Sequence, residues 1–246
     1  MATKFCHCIP SKEPCGHFVK KVHLCAMPSS SVASLSPPPV LGLTGGIAAG
    51  KSMVARALAA CGAAVWDADA AAKAVYTTDA KLRDRMVHRW GNDVGRFNQE
   101  GILVDIERQR LADIVFRSKD ELAWLEEQVH PAVASMFDSW QAAKVGRHAP
   151  PYVVREAAIL FETGVHDRCD LVATVEAPEP LRVTRACERA TRRGQAVSEE
   201  DVLARMAQQW PTSKRIGLAE VHLVNDEQVA LMPQILALHR RMMSLR

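Results

Sequence analysis

Gly45 and Gly50 enclose the four residues Gly46, Ile47, Ala48 and Ala49, and Lys51 and Ser52 follow at once. The pattern G-x4-G-K-[ST] has a physical content. Successive backbone N–H groups form a nest for an anion, the lysine sets a point charge against β/γ-phosphates, and the hydroxyl is a ligand for Mg²⁺. Neither Ala48 nor Ala49 removes a backbone donor, so the nest survives them; if a positive φ is needed there, each costs on the order of 1 kcal/mol relative to glycine. Met53 is expected on the packing side of the following helix, as a core residue.

A second group lies in the stretch "VWDAD". Read as the end of a strand, it puts Asp67 and Asp69 two residues apart on one side. One carboxylate is then placed to take a proton from an attacking hydroxyl while the other organises a Mg²⁺–water shell. The plainer reading is that Asp67 caps the next helix and Asp69 is solvated. A third group is basic. Arg185 and Arg189 fall one turn apart on a predicted helix, with Arg182, Arg192 and Arg193 beside them. Such a stripe either closes over a transferring phosphate or forms a solvated face.

These groups need elements to bring them together. "VLGLT", from Val40, is an apolar run ending in glycines, as a buried parallel strand does. "AAVWDAD", "PYVVREAAILFE", "CDLVATVEA" and "VHLVND" supply four further candidate strands. After Ser52, "MVARALAACG" has helical spacing and stops at Gly62, a suitable C′ residue. "AKLRDRMVHRWG", "IERQRLADIVF" and "KDELAWLEEQVHPAVASMFDSWQAAK" form a helical block over about 80–145. "PEPLRVTRACERATRR" and "SEEDVLARMAQQW" form another over about 180–212, where Ser198 with Asp201 reads as a capping box. Strands alternating with helices predict an α/β fold, a parallel sheet flanked by helices.

Composition narrows the function classes. The chain has 246 residues, 48% of them hydrophobic, and a formal charge of +3. That charge is too small to argue for nucleic acid, and no dense Lys/Arg run occurs. No apolar run approaches the roughly 18–20 residues of a membrane span, and the N-terminus lacks an apolar core for a secretory signal. A cytoplasmic protein, monomeric or weakly homo-oligomeric, is expected. Of the seven cysteines, Cys6, Cys8, Cys15 and Cys25 lie near His7, His17 and His23. Their spacings do not match the paired hooks of a zinc site. Cys61, Cys169 and Cys187 are scattered and suit a reducing compartment. Residues 28–39 are rich in Ser and Pro, so 1–39 is expected to be a disordered extension, with Met27 an alternative start and residues 40–246 the folded domain.

The ordered set "LGLTGGIAAGKS", "DAD", "IVF", "LEEQVHP", "VVREAAILFETG", "DLVATVEAPEPLRVTR", "MAQQWP" and "HLVND" resembles the dephospho-CoA kinase family over about residues 40–239. The resemblance implies a P-loop kinase with a helical substrate-binding region and a small lid. It implies transfer of the ATP γ-phosphate, with Mg²⁺, to the ribose 3′-hydroxyl of dephospho-CoA. Asp69 would be the general base, assisted catalytically by Lys51 and Arg185. Gly45, Gly46, Ile47, Ala48, Ala49, Gly50, Lys51, Ser52, Met53, Arg189 and Asn225 would bind ATP, with Asn225 near the adenine. Asp67, Lys73, His130 and Glu156 would bind the acceptor, and Ser52 would hold Mg²⁺.

The chain departs from the family's usual pattern at several positions. It has "GIAAGKSM" for "GIGSGKST", Glu156 for an aspartate, Ala158 for a proline, Lys73 for an arginine, and a longer lid turn in "RATRRGQAVS". Two other readings stay open: another small-metabolite kinase built on the same loop, and a non-catalytic nucleotide-binding protein. The "HP", "ILFE" and "QQWP" elements favour the first-named family. The chain has no N-K-x-D to read guanine.

Overall fold

A computed structural model describes residues 36–245. The Cys/His-rich stretch, with its zinc reading, and the linker as far as residue 35 lie outside the described residues. Residues just before Val40 pack on the domain: Pro38 is buried and its carbonyl accepts from Gln141, while that of Pro39 accepts from Val153.

In chain order the elements are β1 (Val40–Gly45), α1 (Lys51–Ala60), β2 (Ala64–Asp67), α2 (Ala68–Thr78) and α3 (Ala80–Trp90). Then come β3 (Gly95–Phe97), β4 (Leu103–Ile106), α4 (Arg108–Val115), α5 (Lys119–Ala142), β5 (Val153–Glu156) and β6 (Leu171–Glu176). The chain continues through α6 (Glu179–Arg192), α7 (Glu199–Met206), α8 (Thr212–Leu218), β7 (Val221–Val224) and α9 (Leu231–Met243). Five strands pair in the order β2-β5-β1-β6-β7, all parallel. β1 is buried along its whole length, which explains why "VLGLTG" reads as an unbroken apolar run rather than an alternating one.

Parallel pairing aligns the carboxyl ends of the strands. Leu43 is level with both Glu156 and Ala173, Asp67 with Glu156, and Glu176 with Val224. The chain leaves β1 for the far edge at β2 and later crosses to the other side at β6. Loops on either side of that reversal diverge, and a crevice opens at the carboxyl ends. One core, with Leu41, Leu58, Val154, Leu223, Ile235 and Leu238, joins the sheet to α1 and α9. A second, with Val75, Leu82, Met86, Ile106, Leu111 and Val129, is built by α2, α3, α4 and α5 and by β4.

Helices α8 and α9 have no counterpart in the sequence expectation, and two further elements differ from it. The helical block contains an antiparallel hairpin, β3–β4. Its strands are too short for a period to show. Its turn is stabilised by the Asn98 carboxamide, which accepts from the N–H groups of Glu100 and Ile102, and by Gly101 at φ 77°. The helix expected to run through Trp210 ends at Met206. Pro211 disfavours a helical conformation at the residue before it.

Candidate active site

The anion-binding loop joins β1 to α1. Gly45 has φ 145°, and a Cβ there would strike the Val175 carbonyl on the adjacent strand. Ala48 takes φ 59°, so the strain anticipated for an alanine in this turn is present; Gly50 at φ 108° begins the helix. Met53 and Val54 are the first to donate to the Gly50 carbonyl, at 3.0 and 3.2 Å. The N–H groups of Gly50, Lys51 and Ser52 therefore precede the helical ladder and add their partial charge to the dipole at this terminus.

Three side chains brace the loop from behind. Asn225, 7% exposed, follows β7, and its amide donates to the Ala49 carbonyl at 2.8 Å. It occupies the volume a side chain at Gly50 would need. Arg182 lies in the same way against Gly46 and donates to the Ala177 carbonyl at 3.1 Å. The Gln209 side chain accepts from Ile47 N–H at 2.8 Å and donates to the Ala158 carbonyl at 2.9 Å. The "QQWP" and "ILFE" segments thus meet: Trp210 N–H donates to Glu162, and the Trp210 ring stacks on Phe161.

The charged groups converge in front of the loop. Lys51 Nζ donates to the carbonyls of Gly45 and Gly46 at 2.9 and 3.2 Å. Burial pulls its pKa down, and the charges of Asp69 and Glu156 act to hold it up. The Ser52 hydroxyl donates to Glu156 Oε1 at 2.9 Å. Burial pushes the Glu156 carboxyl upward despite that bond and despite Lys51.

The two aspartates do not share a strand face. β2 stops at Asp67, whose carboxylate caps α2 by accepting from Ala70 N–H at 2.9 Å. Asp69 sits in the first turn of α2, roughly 200° around the helix from Asp67 at about 100° per residue. The capping strength of aspartate ends the strand earlier than the apolar pattern indicates. Asp69 opens to the cleft but is flanked by protein, and the loss of surrounding water raises its carboxyl above the ordinary range. Lys51 and the Ala158 N–H oppose that rise.

On α6, Arg185 donates to the Asn225 carbonyl at 3.1 Å and pairs with Glu227 at 2.9 Å. Arg185, Arg189, Arg192 and Arg193 line a cleft of about 430 Å³ together with Ala48, Gly50, Lys51 and Ser52. That volume is in the range of small-ligand sites. Two expectations need correction here. Met53 is 45% exposed and lines this cleft instead of the core. Arg182 is buried beneath the loop and is not part of the exposed basic stripe. Arg182 and Arg189, seven residues apart, lie within about 20° of one helical face. What separates them is position along α6: Arg182, near its start, lies under the phosphate loop at Gly46, while Arg185 and Arg189, further along, reach the cleft.

A second, largely apolar cleft opens beside Asp69, between α2, α5 and the turn after β5. Its lining includes His130, Val129, Ile159 and Arg155. Lys73 is exposed on α2, and its charge reaches Asp69 only as a weak, longer-range attraction. Sequence reasoning gave no role to Gln209, Arg155, Glu176 or Arg215. Glu176 and Arg215 form a buried bidentate pair at 3.0 and 2.9 Å, and Thr174 also donates to Glu176. Glu176 ends a recognised strand, a signal that was available; Arg215 carried none.

Among the described residues, no three His, Cys, Asp or Glu side chains are grouped to hold a metal by themselves. The oxygens of Ser52 and Glu156 suit a hard cation that keeps most of its coordination for waters and phosphate.

The family model for dephospho-CoA kinase matches residues 39–230. The chain is similar to the dephospho-CoA kinase of Chlorobium chlorochromatii, with 38% identity over 77% of this chain and 86% of that one. It is 36% identical to that of Synechococcus sp. strain CC9605, over 76% of this chain and 84% of the relative. Among solved structures, a Thermus thermophilus protein aligns with TM-score 0.68 and 28% identity, over 86% of this chain and 100% of the other. Dephospho-CoA kinase from Campylobacter jejuni aligns with TM-score 0.57 and 21% identity over 83% and 97%, a likeness of fold.

Proposed function

The chain belongs to the dephospho-CoA kinase family, and from that premise we propose that it transfers the γ-phosphoryl group of ATP to the ribose 3′-hydroxyl of dephospho-CoA, giving ADP and CoA. One observation carries the assignment of roles: the Ser52 hydroxyl, next to Lys51 at the end of the phosphate loop, donates to Glu156, and the Ala158 N–H two residues further on donates to Asp69. The phosphate-holding and proton-accepting groups therefore belong to one site.

In this reading the loop N–H groups and Lys51 hold the β/γ-phosphates. The acceptor 3′-oxygen attacks the γ-phosphorus, the bond from that phosphorus to the β–γ bridging oxygen breaks, and the 3′-hydroxyl proton passes to Asp69. A carboxylate with a raised pKa is a stronger base than a free aspartate, which suits that role. Arg185 and Arg189 stabilise the charge that develops on the transferring group. Ser52 and Glu156 would hold Mg²⁺ accompanying ATP, which supplies charge neutralisation at the phosphates.

Asp67 acts by starting α2 and so positioning Asp69, and His130 lines the acceptor cleft. Lys73 sits at the outer rim of the acceptor side. Asn225 supports the loop near the expected adenine position. Residues 40–246 carry the chemistry, with about 80–145 as the acceptor-binding region and about 180–212 as the lid. The expected enzyme is cytoplasmic and works as a monomer or weak homo-oligomer.

The test uses the full chain. ADP release is measured with ATP and Mg²⁺ in the presence of dephospho-CoA, of adenosine, or of no acceptor. Release is expected to depend on dephospho-CoA; release indifferent to it would overturn the assignment.

A further inference from the structure

Arg155 on β5 is 2% exposed, and its Nε and Nη1 have no hydrogen-bond partner. Its guanidinium lies over the Phe137 ring, 4.5 Å from the centroid, and it lines the same cleft as Asp69 and His130. Stacking offsets part of the cost of burying this charge, but donors left unpaired inside a protein remain expensive.

Nearby groups do not supply the missing counter-ion. Burial pushes the Cys169 thiol up to about 11, so it is neutral near pH 7. Asp138 is taken by Arg168 at 2.7 Å. The remaining lining is apolar apart from Asp69, His130 and Thr163, so Arg155 is the one permanent cation in the cleft among the described residues.

We infer that Arg155 is a specificity-determining residue that pairs with an anionic phosphoanhydride on the acceptor and so selects a nucleoside 5′-diphosphate ester over a neutral nucleoside. The inference rests on Asp69 taking the 3′-hydroxyl proton. In dephospho-CoA the diphosphate leaves the 5′-carbon of the same ribose, so an acceptor held at Asp69 carries its anion into the cleft that contains Arg155. A planar guanidinium is the side chain best shaped to meet phosphate oxygens in pairs.

The test compares wild type, R155K and R155M in steady-state kinetics and thermal melting. R155M is expected to raise the KM for dephospho-CoA by about 10- to 100-fold, the scale of a lost charge-assisted hydrogen bond. The KM for ATP and kcat should stay within about threefold. R155K keeps the charge and loses the fork, and should fall between the two. Adenosine, as a competitive inhibitor against dephospho-CoA, should keep its inhibition constant in every folded variant. If R155M does not fold, R155K decides. An unchanged acceptor KM in R155K overturns the inference, as does a joint loss of kcat, both KM values and melting temperature. Weakened adenosine inhibition would also overturn it, since that would make Arg155 a shape or base contact. Failure of wild type to use dephospho-CoA would instead sink the reading on which the inference rests.

Discussion

At the scale of the residue, the departures from a relaxed fold are concentrated where chemistry is proposed. Asp69 carries a carboxyl raised first by burial. Its replacement in D69N is expected to keep ATP binding and lower phosphoryl transfer by about 10²–10⁴-fold, the range of general-base catalysis. Unchanged turnover would remove Asp69 from the role of base. The same shift has a consequence for stability. A carboxyl whose folded pKa lies above its unfolded value of 3.8 binds its proton more tightly when folded. Stability therefore falls as pH rises from the unfolded value through the folded one. D69N, which cannot ionise, should melt above wild type at pH 7, and the gap should close as pH approaches the unfolded value; a gap that widens on acidification would contradict this. Ala48 is the other costly position. At φ 59° an alanine stores on the order of 1 kcal/mol relative to glycine. A48G should therefore match or exceed wild type in thermal stability, whereas a change to a β-branched residue there should lower it.

At the scale of the element, the sequence showed the five strands of the main sheet and most of the helices because each strand is an apolar run and each helix has an apolar period. Gly45, Gly50, Lys51 and Ser52 were legible because their spacing is local and their backbone geometry is demanding. What was not legible depends on distant partners. The aspartates are the local exception: of their two readings, the one in which Asp67 caps the next helix is realised, through Ala70 N–H. Arg182 and Arg185 look alike in sequence, yet Arg182, near the start of α6, lies under the phosphate loop while Arg185, one turn further on, reaches the cleft. Gln209 gave no signal of its own, although it bridges the phosphate loop and the segment after β5. That bridge makes a prediction. Q209A leaves Ile47 N–H and the Ala158 carbonyl without these partners, and each lost partner costs about 1–3 kcal/mol if the group stays dry. Ala158 also donates to Asp69 through its N–H, so the base is displaced together with the loop. Both the KM for ATP and kcat should worsen in Q209A; an effect confined to the acceptor KM would show that the bridge does not set the loop.

At the scale of the whole molecule, the site exists because parallel pairing delivers five strand ends to one edge, and that edge needs something to hold β6 and α8 together beneath it. The buried pair of Glu176 and Arg215 does so. The side chains are 10% and 3% exposed, and the carboxylate accepts from Thr174 as well as from the guanidinium. Arg215 also donates to the Trp210 carbonyl and the Thr212 hydroxyl, which fixes the turn that carries Gln209. A buried pair with all its hydrogen bonds made contributes little over an apolar isostere, but losing one partner strands the other charge. R215M should cost about 3–5 kcal/mol, a large share of the roughly 5–15 kcal/mol that holds a domain folded. For a domain of this size that lowers the melting temperature by on the order of 10 °C. The double variant E176Q/R215M removes both charges and should recover part of the loss. ATP binds only the folded loop, so at a hundredfold excess over its dissociation constant it should return about 2.7 kcal/mol to wild type and to the variant alike, provided the loop is intact. Thermal melts of the three proteins with and without ATP and Mg²⁺ measure this directly. A recovery by ATP in wild type that is absent from R215M would mean that the pair sets the phosphate loop itself, whereas equal recovery confines its role to holding α8 against the sheet.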